Sequence, residues 1–317
     1  IWCVAISPDG QRIASGSEDQ IVRLWSLTHG KLISELRGHT NRIWSVDFHP
    51  TTPMLASSSE DFTIRIWDIE ANRQSAVLSG HVNRVWSVKF HPDPDSNIII
   101  SGGEDRTIGV WNYRTQQLLQ RIEAHTAPIR AVNICADGMK IASGSEDCYV
   151  KVWDIATTKL LYTFEGHSNW IRSVAFNLDG TLLASASDDA TVRIWDLASQ
   201  VCIAVFQGHQ GPVRSVKFID DKTLTSGGGD SQILVWNAQS MHVVKKLSGH
   251  ESWVWSVDCH QNHVVSGSAD ETIRVWDQNG ESRLLRPARP YEGTIISNVL
   301  GLTEAQKSTL VSLGAIQ

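Results

Sequence analysis

A tryptophan returns along this chain at Trp25, Trp67, Trp111, Trp153, Trp195, Trp236 and Trp276, at intervals of 40 to 44 residues. A histidine keeps step with it, at His39, His81, His125, His167, His209 and His250. A period of this length means one small unit built seven times, each too thin to bury its apolar face except against its neighbours. Gly166 to Asp196 is the clearest copy. Ile171, Val174 and Phe176, then Leu182, Leu183 and Ser185, alternate as half-buried strands do, because successive side chains leave a strand on opposite faces. Asp179-Gly180 between them is a hairpin signal, since glycine adopts the positive φ of a tight turn without penalty. A third run closes at Trp195, and a fourth, from Val201 to Phe206, precedes the next Gly-His.

Gly-His openings, Trp-Asp endings and this period resemble the WD-repeat β-propeller family, in which each blade has four strands. The resemblance covers about nine tenths of the chain, with seven copies in register. It implies an all-β, seven-bladed β-propeller of four-stranded antiparallel blades over residues 1–287, followed by a tail over 288–317. Ile1 to Ile6 aligns with Ile43 to Phe48, so blade 1 is truncated at its N-terminal loop and lacks its histidine. By its offset from Trp276, the outer strand of blade 7 is Ser282 to Arg286, and the last blade borrows nothing from the N-terminus. That departs from the common arrangement, in which one blade mixes strands from both chain ends, and it questions how strongly the ring closes. Two irregularities leave register intact: the insertion Pro92-Asp93-Pro94-Asp95 in blade 3, and Ala124 in place of glycine before His125.

The formal charge of −6 argues against nucleic acid, whose phosphates call for a basic surface. Cys3, Cys135, Cys148, Cys202 and Cys259 are odd in number and lack metal-ligand spacing, which suits free thiols in a reducing compartment. There is no apolar run of membrane-spanning length, no secretory signal and no glycosylation sequon, so a cytoplasmic protein without membrane contact is expected. Phosphate-loop and nucleophile-elbow motifs are missing, and His250-Glu251 lacks the second histidine a zinc motif needs.

Aligned on the tryptophans, a polar set repeats. Asp19, Asp61, Asp105, Asp147, Asp189, Asp230 and Asp270 stand six residues before the tryptophan, and Ser15, Ser57, Ser101, Ser143, Ser185, Ser226 and Ser266 four residues before those. His, Ser and Asp together suggest a hydrolase triad. A catalytic site, however, is one asymmetric constellation beside an oxyanion hole, whereas this set recurs around the whole chain. The family resemblance implies instead a hydrogen-bond chain inside each blade, running from Asp to His to Ser to the tryptophan indole. No catalytic residue, metal or cofactor is therefore assigned.

Residues that differ between copies at one position are better guides to function. Five residues after each histidine stand Trp44, Trp86, Arg130, Arg172, Arg214 and Trp255, with Trp2 equivalent in blade 1; two positions earlier stand Arg42, Arg84, Pro128, Trp170, Pro212 and Trp253. Six of the 13 tryptophans fall at these two positions and the other seven close the repeats. Glu18, Glu60, Glu104, Glu146 and Asp188 directly precede the turn aspartates. By resemblance all of these lie at the mouth of the central channel, where partners of such propellers commonly dock. One reading makes the tryptophans filler between inner strands and the charges a solvated salt-bridge ring of little worth. The other makes the ring a binding site, because Trp and Arg are enriched in hot spots and an indole face attracts a cation. The second is preferred, with either a cationic side chain or a carboxylate as ligand.

The tail has no propeller period. Thr303-Glu304-Ala305-Gln306 is a capping box and Gly314 a C-terminal cap, which predicts a helix from about Glu304 to Leu313. This tail resembles the C-terminal ends of many cyanobacterial WD-repeat proteins. That resemblance, with a start at Ile1 in mid-pattern, implies a piece of a longer protein, with an N-terminal signalling domain that uses the propeller as its sensor. The expected function is a non-catalytic protein-protein interaction module for a peptide or protein surface. The alternatives are a propeller enzyme or small-molecule binder using the channel, and a structural scaffold binding through its blade sides or the opposite face.

Overall fold

The computed structural model describes residues 1–287, 295, 303–312 and 314–316. The chain divides into two compact units, Ile1–Leu285 and Arg286–Gln317. The first holds seven four-stranded antiparallel sheets, each made from four consecutive strands. It is a seven-bladed propeller. In blade 5 the strands are Ile171–Phe176, Leu182–Ser187, Thr191–Asp196 and Val201–Gln207. First strands of adjacent blades face one another around the axis, so the first strand is innermost.

Apolar clusters between blades hold the ring together. Ile171, Val174, Leu183 and Trp195 of blade 5 pack with Ala142, Val150, Val152 and Phe164 of blade 4. The closing tryptophans are buried to 2% exposure or less, except Trp153 at 6%. Their indoles explain the glycine of Gly-His. A Cβ on Gly80 or Gly208 would lie 2.9 or 2.8 Å from Cη2 of Trp111 or Trp236. Blade 4, with Ala124 at that position, is also the blade whose tryptophan is most exposed.

Ring closure uses the same contacts as the other junctions. Between blades 6 and 7 the Val257 N–H donates to Ser215 Oγ at 3.1 Å, and between blades 7 and 1 the Val4 N–H donates to Ser256 Oγ at 3.1 Å. Ile6 N–H donates to Asp258 Oδ2 at 2.8 Å, as Phe90 N–H does to Asp47 at the junction of blades 2 and 3. Val4, Ile6, Trp25 and Leu27 share a core with Val265, Ile273, Val275 and Leu285. Arg283 adds hydrogen bonds to the carbonyls of Leu27 and Thr28. Closure thus rests on these contacts and on the bond from the Ile1 amino group to the Ser268 carbonyl at 2.9 Å, with no shared sheet. Arg283→Ala is expected to speed hydrogen exchange at blades 1 and 7 before any other blade, with the unfolding midpoint lower by about 2 to 4 °C. Uniform acceleration around the ring would count against Arg283 as a local clamp between blades 7 and 1.

In the second unit a helix spans Glu304–Ser312. The Thr303 N–H donates to Gln306 Oε1 at 2.9 Å, and Gln306 N–H donates back to Thr303 Oγ1 at 3.3 Å, the reciprocal pattern of a capping box. Gly314 has φ +104° and its N–H reaches the Val311 carbonyl at 2.9 Å, ending the helix. Leu313, the expected last residue, lies outside the described residues. No helix among the described residues is long and apolar enough to cross a membrane.

Candidate functional site

Each of blades 2 to 7 contains the same hydrogen-bond chain. The Trp67, Trp111, Trp153, Trp195, Trp236 and Trp276 indoles donate from Nε1 to Ser57, Ser101, Ser143, Ser185, Ser226 and Ser266 at 2.7–3.0 Å. Those hydroxyls bond Nε2 of His39, His81, His125, His167, His209 and His250 at 2.7–2.8 Å. Nδ1 of each histidine meets Asp61, Asp105, Asp147, Asp189, Asp230 or Asp270 at 2.7–3.0 Å. One tautomer satisfies every link: Nδ1–H donates to the carboxylate and Nε2 accepts from the serine, whose oxygen accepts from the indole. The six serines are 0% exposed, so none can meet a substrate. In blade 1, Trp25 bonds Ser15 at 2.9 Å, while Asp19 pairs with Arg23 at 2.7 Å.

The aspartate also shapes its turn. The residue after it, among them Phe62, Arg106, Ala190 and Glu271, has φ of 64–71° without being glycine. Asp189 holds that turn by accepting from Thr191 N–H and Oγ1 at 2.9 and 2.6 Å. Burial alone would push Asp61, Asp105, Asp189 and Asp270 upward. Hydrogen bonds from the histidine, the following threonine and a backbone N–H outweigh it and hold all four well below the usual carboxylate range. Asp147 lies at about 2 for the same reasons, without the threonine. Burial pushes His39 and His125 below the usual imidazole value, with their aspartates opposing.

Both shifts have one consequence for stability. A group whose pKa falls on folding stabilises fully above its unfolded value and loses that contribution as pH drops. Unfolded histidine titrates near 6.5 and aspartate near 3.9, so stability should be level above about pH 6.5, decline below it, and fall steeply below about pH 4. Denaturant midpoints followed by tryptophan fluorescence between those limits check this; a midpoint rising on acidification would contradict the chain as drawn.

The non-repeated residues gather at one end of the central channel. Trp2, Trp44, Trp86, Arg130, Arg172, Arg214, Trp253 and Trp255 line one cavity of about 390 Å³. The position five residues after each histidine carries a local irregularity of the first strand: register shifts at Trp44, Trp86, Arg130, Arg172, Arg214 and Trp255. A bulge re-aims the extra residue, which accounts for a ring of side chains at the mouth. The indoles form an arc, with Trp86, Trp44, Trp2 and Trp255 spaced 4.3–4.8 Å between ring centroids and Trp253 at 5.4 Å from Trp255. Arginines complete the circle. Arg130 lies 3.6 Å over Trp86, and Arg214 lies 4.8 and 5.0 Å from Trp253 and Trp255. Trp170 stands beside the funnel, 4.8 Å from Arg172, and is not among its lining residues.

Every acid of the turn set meets this ring. Arg42 pairs with Glu18 at 2.7 Å and Arg84 with Glu60 at 2.8 Å. Trp86 Nε1–H donates to Glu104 at 2.6 Å, Arg130 Nε–H to Glu146 at 2.6 Å, and Arg172 and Arg214 share Asp188 at 2.7 Å each. Four of the carboxylates pair with the five guanidinium groups and Glu104 takes an indole N–H, so acids and arginines are equal in number at the mouth. What the mouth offers in excess is aromatic surface: Trp170 is 39% and Trp253 41% exposed.

Below the mouth the channel narrows to a polar cavity of about 150 Å³. There Lys89 pairs with Asp47 at 2.5 Å and Lys217 with Asp258 at 3.3 Å. Asp258 raises the Lys217 ammonium pKa further, against burial. These four groups went unnoticed in the repeat alignment. Their signal was available: eight residues after the histidine the copies read Asp47, Lys89, Asn133, Ala175, Lys217 and Asp258.

Comparison with known proteins agrees with this architecture. The family model described as WD domain, G-beta repeat matches seven segments: 1–26, 30–68, 72–112, 116–154, 158–196, 200–237 and 241–277. The chain is similar to a periodic tryptophan protein 2 homolog of Caenorhabditis elegans, 50% identical over 44 residues, which is 14% of this chain and 5% of that protein. It is similar to WD repeat-containing protein pop2 of Schizosaccharomyces pombe, 47% identical over 53 residues, 17% of this chain and 7% of the other. With nuclear distribution protein nudF of Aspergillus terreus it shares 34% identity over 74 residues, 23% and 16% of the two chains. The matched regions are thus a small part of each relative's length. Seven family matches on seven blades, each carrying the Trp, Ser, Asp pattern around its closing tryptophan, place this chain in the WD40 repeat family.

Proposed function

We propose that this propeller is a non-catalytic protein-interaction module that binds a peptide segment or protein surface at the channel mouth. The observation that carries the reading is the convergence of five non-repeated tryptophans and three arginines on one cavity. Indoles spent only on packing would be covered, whereas Trp253 remains 41% exposed. Aromatic and arginine side chains around a concave centre are the composition of binding hot spots. The serines of the repeated set are sealed inside the blades, which supports binding over hydrolysis. Within a longer protein the module would serve as scaffold or sensor in a reducing, cytoplasmic setting, consistent with five free cysteines. Joint substitution of Trp44, Trp86 and Trp255 by alanine, followed by comparative capture of partners, tests the site.

A further inference from the structure

We propose that the segment bound at the mouth carries an acidic side chain next to an apolar one, and that Arg214 of blade 6 takes its carboxylate beside Trp253. This rests on the reading of the mouth as the docking site and specifies what docks there.

Pseudo-symmetry supplies the argument. In blades 4 and 5 the ring arginine gives its Nε–H to the acid of its own blade: Arg130 to Glu146 at 2.6 Å, and Arg172 to Asp188 at 3.0 Å. Blade 6 has Gly229 at the position of those acids. Arg214 instead sends Nη1 across to the Asp188 of blade 5, already engaged by Arg172. Its Nε–H is buried and has no partner, in a side chain only 7% exposed. Arg65, Arg193 and Arg274 also leave Nε unpaired, but they lie on third strands outside the channel lining. A buried donor without an acceptor is unfavourable, so a carboxylate entering the funnel is favoured if the Arg214 guanidinium turns to meet it.

Charge points the same way. Of the three arginines on one wall of the funnel, Arg130 has Glu146 and Glu104 beside it, whereas Arg172 and Arg214 share the single carboxylate of Asp188. Burial first, then the Arg172 guanidinium, pushes Arg214 down to about 10, with Asp188 opposing. The opposite wall is the indole arc, which suits an apolar neighbour of the acid. Space exists as well: a Cβ built on Gly229 comes no nearer than 3.4 Å to Pro212 and 3.7 Å to Trp253.

That space also provides the test. An array of random peptides capped at both ends is probed with the native propeller, with the Trp44, Trp86, Trp255 alanine variant to mark mouth-dependent binders, and with Gly229→Asp and Gly229→Ala. Mouth-dependent binders should be enriched in Asp or Glu beside Leu, Phe or Trp, and replacing that acid by its amide should weaken binding about tenfold or more. Gly229→Asp, which hands Arg214 a carboxylate from its own blade, should erase the preference, while Gly229→Ala keeps it. Should Gly229→Asp not fold, Arg214→Gln decides by the same readout. Mouth-dependent binders with equal affinity for acid and amide, or a preference that survives Gly229→Asp, would overturn this inference and leave the docking site standing. A preference seen only with uncapped C-termini would overturn the side-chain form of it. A complete lack of mouth-dependent binders would remove both readings.

Discussion

Asp189→Ala is expected to destabilise the propeller by about 3 kcal/mol, which a thermal or denaturant melt would read directly. The size follows from what the carboxylate holds. Asp189 accepts from His167 Nδ1 at 2.7 Å, from Ser168 N–H at 3.1 Å, and from Thr191 N–H and Oγ1 at 2.9 and 2.6 Å. Its side chain is 7% exposed and that of His167 is 0% exposed, so water cannot replace all of these bonds. Removing one acceptor leaves several buried donors orphaned, and each costs about 1 to 3 kcal/mol before relaxation. The loss should then pass to His167, Ser185 and Trp195 in turn, because each link fixes the next. Below its lowered melting temperature the variant should still bind at the mouth, since Trp44, Trp86 and Trp255 belong to other blades. Lost binding with unchanged stability would reverse the assignment and make this chain a site instead of a frame.

How much of this was readable beforehand depends on the length scale of the cause. The blades were, because a tryptophan returning seven times near 42 residues apart and Asp-Gly turns in three of the copies, such as Asp179-Gly180 with Gly180 at φ +71°, are local signals. The capping box at Thr303 was legible for the same reason. The bulge that turns Arg172 into the mouth was not, since Ile171, Arg172 and Ser173 read as an ordinary alternation in one blade. The charge balance was hidden too: whether Glu146 grips a partner or Arg130 depends on a distance between strands that no spacing encodes. Ring closure looked weak in the sequence because no strand is shared, yet Ser256, Asp258 and Arg283 stitch blades 7 and 1 by contacts that appear only once the ring is formed.

Loss of partner binding by about a hundredfold or more is expected when Trp44, Trp86 and Trp255 are changed together to alanine. Central aromatic hot spots cost about 2 kcal/mol or more each, and three of them exceed that factor even when their effects overlap. Stability should change less than affinity. These indoles touch one another and the solvent, in contrast to Trp195 at 1% exposure, whose removal would open a core cavity. The comparison that matters is with a second set, Ile33, Leu119 and Val244 to serine, which removes apolar surface from outer strands where those residues are 49–64% exposed. A mouth site predicts that the first set fails and the second binds normally, both with native circular dichroism. The reverse result would move the interaction surface to the blade sides. The indoles at Trp44, Trp86 and Trp255 would then be packing between inner strands, held in place by the same 4.3–4.8 Å contacts that line the mouth.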